Sequence, residues 1–163
     1  GKTAPELTDE LANLGSHALL TALVHVQNGA AEWTEQDESQ VTYASKVGKG
    51  ELDLDPRDTA EAAVRKVRAS SGAHPARAVV AARPVTVLAL RAVEDDRGRE
   101  LAGGLAAGEV RFAGKRLFLG FADGAAEVAS VKPDGRQAMD AKAFAAGVQG
   151  IKQETLSWEA AHE

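Results

Sequence analysis

The chain has 163 residues, 44% of them apolar and only 4% aromatic, with a net charge of -5 and no cysteine. That suffices for one ordinary domain with an Ala/Val/Leu core, or for a small domain plus a piece of another, and it excludes a disulfide framework or a thiolate metal site. No apolar run approaches the roughly 20 residues that span a bilayer, and Gly1-Lys2-Thr3-Ala4-Pro5 has no signal-peptide core. The absence of cysteine fits a cytoplasmic location, and the leading Gly without Met fits a processed or partial chain.

The charge is unevenly placed. Residues 1–64 carry twelve acids and four bases, a sum of -8; residues 65–136 carry thirteen bases and eight acids, a sum of +5. The acidic whole argues against a strong nucleic-acid binder, while the basic second half keeps modest phosphate binding open.

Residues 5–27 are expected to form a helix. Leu7, Leu11, Leu14, Ala18, Ala22 and Val26 recur at steps of four and three, widened by Leu19 and Leu23. Gly29 stands where a C-terminal glycine stop would. Such a stripe needs a partner, and unpartnered it predicts self-association. The stretch Gln36–Lys46 has no apolar stripe and reads as an extended linker. Trp33 and Tyr43 bracket it, either as a stacking platform for a base or, more plainly, as pins onto a neighbouring surface.

Asp55-Pro56 reads as the start of a second helix, with Ala60, Ala63, Val64 and Val67 as its buried stripe. Arg65, Lys66 and Arg68 fall in its last turns, where they suit the helix dipole as well as a phosphate. From residue 76 the period becomes strand-like. Arg77–Ala82 is one short strand. In residues 84–93, Val85, Val87, Ala89 and Arg91 are expected on one face and Thr86, Leu88, Leu90 and Ala92 on the other. Glu94–Gly104, charged and glycine-rich, reads as a long mobile loop. Gly114-Lys115 joins two strands as a tight hairpin, Asp123-Gly124 marks a second hairpin, and Pro133-Asp134-Gly135 is a turn. Asp140 caps a short helix stopped by Gly147, and a weak helix is expected around Trp158. The sum is an α+β chain with a five-stranded antiparallel barrel of the oligonucleotide-binding type.

No catalytic set emerges. There is no phosphate-cradling glycine loop and no Gly-x-Ser-x-Gly elbow. His17, His25, His74 and His162 are far apart and form no metal motif, so no metal or cofactor ligand is assigned. His17 and His25 read as solvated or partly buried helix residues, and His74 as a solvated loop residue. Ser70-Ser71 reads as a helix-end turn, and Asp95-Asp96 as solvated loop carboxylates. A binding module is the expectation rather than an enzyme.

Several short motifs recur in an order that resembles the methionyl-tRNA formyltransferases. Glu6–Gly15 with Leu19-Leu20 is similar to the last helix of that family's catalytic domain. Thr42-Tyr43-Ala44-Ser45-Lys46-Val47 resembles the passage into its C-terminal domain. Ala63–Ala69 followed by His74-Pro75-Ala76-Arg77-Ala78 resembles its helix and proline loop. Gly108-Glu109-Val110, Val131–Met139 and Phe144-Ala145-Ala146-Gly147 resemble later strand, turn and closing motifs. The resemblance implies residues 1–35 as a remnant of the catalytic domain, 36–55 as linker and 56–163 as the C-terminal domain. It implies a parent enzyme that moves formyl from 10-formyltetrahydrofolate to the amine of initiator methionyl-tRNA, with the catalytic and folate-binding residues upstream of this chain. It also implies a basic face toward tRNA, for which Lys46, Arg65, Arg68, Arg77, Lys115, Arg116, Lys132 and Arg136 are the candidates. Thr86–Arg91 in place of a Lys-bearing strand, Asp134 in the turn and the negative total depart from the family pattern. Formyltransferases of amino-sugars or other amines reuse a similar domain, so a supporting role for another substrate is the competing expectation.

Overall fold

A computed structural model describes residues 1–161 and divides them into two compact units, Gly1–Val47 and Gly48 onward. In the first unit, α1 (Ala4–Gln27) begins at a capping box. The Thr3 hydroxyl accepts from the Glu6 amide at 3.4 Å, and the Glu6 carboxylate accepts from the Thr3 amide at 2.8 Å. Those bonds from Thr3 hold the Glu6 carboxyl below its ordinary range. No residue of α1 is buried: Leu7, Leu11, Leu14, Leu19 and Leu23 all lie exposed. The following chain turns at Asn28-Gly29 and then has no helix or strand except one 3-10 turn at Glu38–Gln40, capped by the Asp37 carboxylate.

The second unit is a barrel. Its strands are β1 (Arg77–Val80), β2 (Arg83–Ala92), β3 (Glu109–Ala113), β4 (Arg116–Phe121), β5 (Gly124–Pro133), β6 (Met139–Asp140) and β7 (Leu156–Ala160). Every pairing is antiparallel. The order β2-β1-β7-β3-β4-β5 closes through a β2–β5 pairing, and β6 adds at the side of β5. The closed barrel therefore has six strands, not the five expected. The additional strand is β7, read from the sequence as a weak helix around Trp158. Its Trp158 ring is buried, meets Phe121 edge-on at 5.0 Å, and donates from Nε1 to the Gly120 carbonyl at 3.0 Å. Alternation in Leu156–Ala160 is a strand signal too short to stand out from the sequence.

Side-chain parity corrects β2. The ladder slips between Val87 and Leu90, so Val85, Val87 and Leu90 all point inward and Leu88 is left outside. Strand β5 shifts in step: Ala126 and Val128 are buried, then Val131 and Pro133. The strand with two apolar faces is instead β4. Leu117, Leu119 and Phe121 join the main core, and Phe118 faces a second cluster with Ala102 and Leu105.

That second cluster is made by the stretch expected to be a mobile loop. It contains helix α3 (Asp96–Ala102), whose N-cap Asp95 accepts from the Gly98 amide at 2.8 Å. Gly98 is there for space: a Cβ would lie 2.8 Å from Arg116 Nη2. Helix α2 (Ala60–Ala69) starts later than Asp55-Pro56 suggested. Thr59 is its cap, and the Asp123 carboxylate accepts from the Ala60 amide at 2.7 Å. Asp55 instead closes the preceding turn onto Arg57, whose side-chain and backbone donors hold the Asp55 carboxyl down at about 2. Ala63 and Val67 of α2, and Phe144 and Ala145 of α4 (Ala141–Ala146, capped by Asp140), complete the core.

Candidate nucleic-acid interface

The eight candidate cations do not form one patch. Lys46 is exposed in the first unit. Arg65 and Arg68 stand one turn apart on α2, and Arg65 is paired with Glu61 at 2.5 Å. Lys115 occupies the β3–β4 turn with φ 67, beside Gly114 at φ 58, so the tight Gly-Lys hairpin read from the sequence is present.

Arg116 has a structural task. Its guanidinium donates to the Asp95 carboxylate at 2.9 and 2.8 Å and to Glu127 at 2.5 Å, and lies 5.3 Å from the Phe118 ring centroid. Both carboxylates raise its pKa, and the Arg116 bonds, followed by that from the Gly98 amide, hold the Asp95 carboxyl well below the usual range. This triad fastens the cap of α3 to β4 and β5. Asp95, half exposed, is thus the cap of α3 and an ion-pair anchor rather than an unpartnered loop carboxylate. With both forks occupied, Arg116 has little left to offer a phosphate.

Arg77 and Lys132 do come together. Arg77 of β1 pairs in register with Thr86 of β2, and Thr86 with Lys132 of β5. Their neighbours Ala78, Val85, Val87 and Val131 are buried, so alternation puts Arg77, Thr86 and Lys132 in one row on the outward face. Arg136 follows at the Pro133-Asp134-Gly135 turn, where its amide donates to the Pro133 carbonyl at 3.0 Å. A hollow of about 410 Å³ adjoins the row, lined by Lys49, Asp53, Arg77, Val79, Pro84, Asp134 and Ala161. Lys132 and Arg136 make no side-chain ion pair among the described residues, whereas Arg77 is paired with Asp134 at 2.7 Å. Cross-strand register over some fifty residues joins these cations, and the sequence carries no local signal of it.

The remaining expectations have plain outcomes. His74 is exposed in the α2–β1 loop, His17 and His25 are exposed on α1, and His162 lies outside the described residues. No group of three or more metal-ligating side chains occurs among the described residues, and no helix there is long and apolar enough to cross a membrane. Trp33 and Tyr43 are 86% and 95% exposed, and Trp33 lines a hollow with Ala22, His25 and Val26 of α1 in its own unit.

Comparison with known proteins agrees with this barrel. The family described as "Formyl transferase, C-terminal domain" matches residues 46–149. The methionyl-tRNA formyltransferase of Halorhodospira halophila (strain DSM 244 / SL1) is 37% identical over 134 residues, covering 82% of this chain and 42% of that protein. That of Rhodopseudomonas palustris (strain TIE-1) is 31% identical over 148 residues, covering 89% of this chain and 45% of the relative. The chain thus spans less than half the length of these two relatives. Among solved structures, HypX from Aquifex aeolicus, in complex with tetrahydrofolic acid, superposes with a TM-score of 0.61 at 19% identity. The alignment covers 90% of this chain and 26% of that one, a likeness of fold. From the match over residues 46–149 and the relatives that share most of its length, the chain belongs to the formyl transferase C-terminal domain family.

Proposed function

We propose that this chain is the tRNA-engaging, C-terminal part of a methionyl-tRNA formyltransferase. The observation that carries the reading is the family match over 46–149, together with relatives of that name aligned over more than four-fifths of the chain. The parent enzyme would transfer the formyl group of 10-formyltetrahydrofolate to the amine of initiator methionyl-tRNA. Residues 1–35 would be the end of its catalytic domain, 36–55 the linker and 56–163 the C-terminal domain, in a cytoplasmic protein.

The barrel's part in that reaction is to bind and place the RNA. Phosphates are neutralised by Lys and Arg at little cost in specificity, which suits a domain whose task is positioning. No transfer step runs through these residues. The folate cosubstrate would bind in the catalytic domain of that parent enzyme.

A second reading has its own observation. From residue 48 on, the sequence carries seventeen acids and seventeen bases, a net charge of zero, and Arg65, Arg77 and Arg116 are tied to carboxylates. Such a barrel fits a supporting domain of a formyltransferase acting on another amine, such as an amino-sugar. Titration of the chain with initiator tRNA at two salt concentrations separates the two. Binding that weakens as salt rises supports the tRNA reading; no binding at low salt supports the second.

A further inference from the structure

We propose that the outward face of β1, β2 and β5 is where the barrel meets the RNA backbone, and that Asp134 acts there as an internal competitor for the phosphate contact of Arg77. This rests on the tRNA reading above and adds to it a face, a pair of contact residues and a residue that limits their strength.

The row Arg77–Thr86–Lys132 crosses three strands. Directly opposite side chains in a sheet start about 5 Å apart, so the Arg77 and Lys132 side chains leave the sheet about 10 Å apart with that of Thr86 between them. Arg136 follows Lys132 beyond the turn, and Lys49 lines the same hollow as Arg77. The face offers cations, the Asp53 and Asp134 carboxylates beside Arg77, a hydroxyl and apolar side chains at Val79, Pro84 and Leu88, but no aromatic ring. It therefore suits a sugar–phosphate backbone rather than stacked bases, and contact there is independent of sequence.

Arg77 is not free as the barrel stands. Its Nη2 donates to Asp134 at 2.7 Å, with the two side chains 41% and 53% exposed. An exposed pair of this kind is weak and exchanges readily with water and salt. A phosphate offers the same guanidinium two acceptor oxygens, a bidentate partner that a carboxylate also provides. Asp134 thus opposes RNA in two ways: it engages one nitrogen of the Arg77 fork and sets a negative charge within a Debye length of any phosphate on the row. Its place in the turn does not depend on the charge, because its backbone amide donates to the Pro84 carbonyl at 3.1 Å and Gly135 supplies the positive φ of 71°.

The test uses the full chain and initiator tRNA, followed by anisotropy across a salt series. Asp134→Asn is expected to tighten binding three- to tenfold at low salt. Lys132→Gln is expected to weaken it severalfold and to lower the salt slope by about one. Asp96→Asn is the charge control, since it frees Arg99 from a similar exposed pair on α3, and Lys152→Gln removes a cation preceding the far end of β7; neither is expected to change affinity. If the parent chain binds and Asp134→Asn matches Asp96→Asn, or Lys132→Gln matches Lys152→Gln, this face is refuted while the tRNA reading stands. If the parent chain binds no tRNA at low salt, both fall together.

Discussion

At the scale of single residues, the account turns on side chains whose use differs from their appearance in sequence. Asp95 and Arg116 look like a loop carboxylate and a surface cation, yet they form one ion-paired anchor with Glu127. Because the Asp95 carboxyl is held below its unfolded value of about 3.9, its stabilisation is complete above that pH and is lost as pH falls toward the folded value. Urea midpoints measured between pH 6 and pH 3 should therefore fall more steeply for the parent chain than for Asp95→Asn, and equal slopes would contradict the anchor. Gly120 makes a sharper case. A Cβ there would lie 1.9 Å from the Ala106 carbonyl oxygen, so Gly120→Ala should cost about 3 kcal/mol or prevent folding, read as a loss of the urea transition. The sequence shows a glycine in both cases, but only the fold tells a glycine that gives room from one that gives freedom. For the same reason Gly98 was read as a sign of mobility.

Elements were legible where they were long or carried local punctuation. The stripe of α1, the Gly114-Lys115 turn and the Asp140 cap all announce themselves in a few residues. Strand β7 and helix α3 did not, because each is short and acquires its identity from tertiary partners. The bulge in β2 also escaped, since one extra residue reverses the parity of everything after it. If β7 is the closing strand, Trp158→Ala removes the Phe121 contact and the bond to Gly120, and should cost about 3–5 kcal/mol in equilibrium unfolding. A loss under 1 kcal/mol would mean that the barrel closes without it. Helix α1 makes the opposite prediction. With its leucines exposed, light scattering should show concentration-dependent association of the chain, abolished by the Leu11→Glu, Leu14→Glu double substitution while the β-sheet circular dichroism persists. A monomer at high concentration would show that the stripe needs no cover.

For the whole molecule, charge has to be counted by place rather than by total. The net -5 of the chain lies in residues 1–47, and from residue 48 on the acids and bases balance to zero. Fold and family were legible because short motifs kept their order along the chain. The candidate interface was legible only as a set of residue types: eight cations were nameable, but the row Arg77–Thr86–Lys132 exists through strand pairing between positions far apart in sequence. The central claim, that the barrel places tRNA through a face of backbone contacts, is tested most directly by amide NMR of the labelled chain during addition of initiator tRNA. The account predicts salt-sensitive shifts concentrated at Arg77, Thr86, Lys132 and Arg136, with the amides around Lys152 unmoved. Shifts confined to α1, or no shifts at low salt, would contradict it.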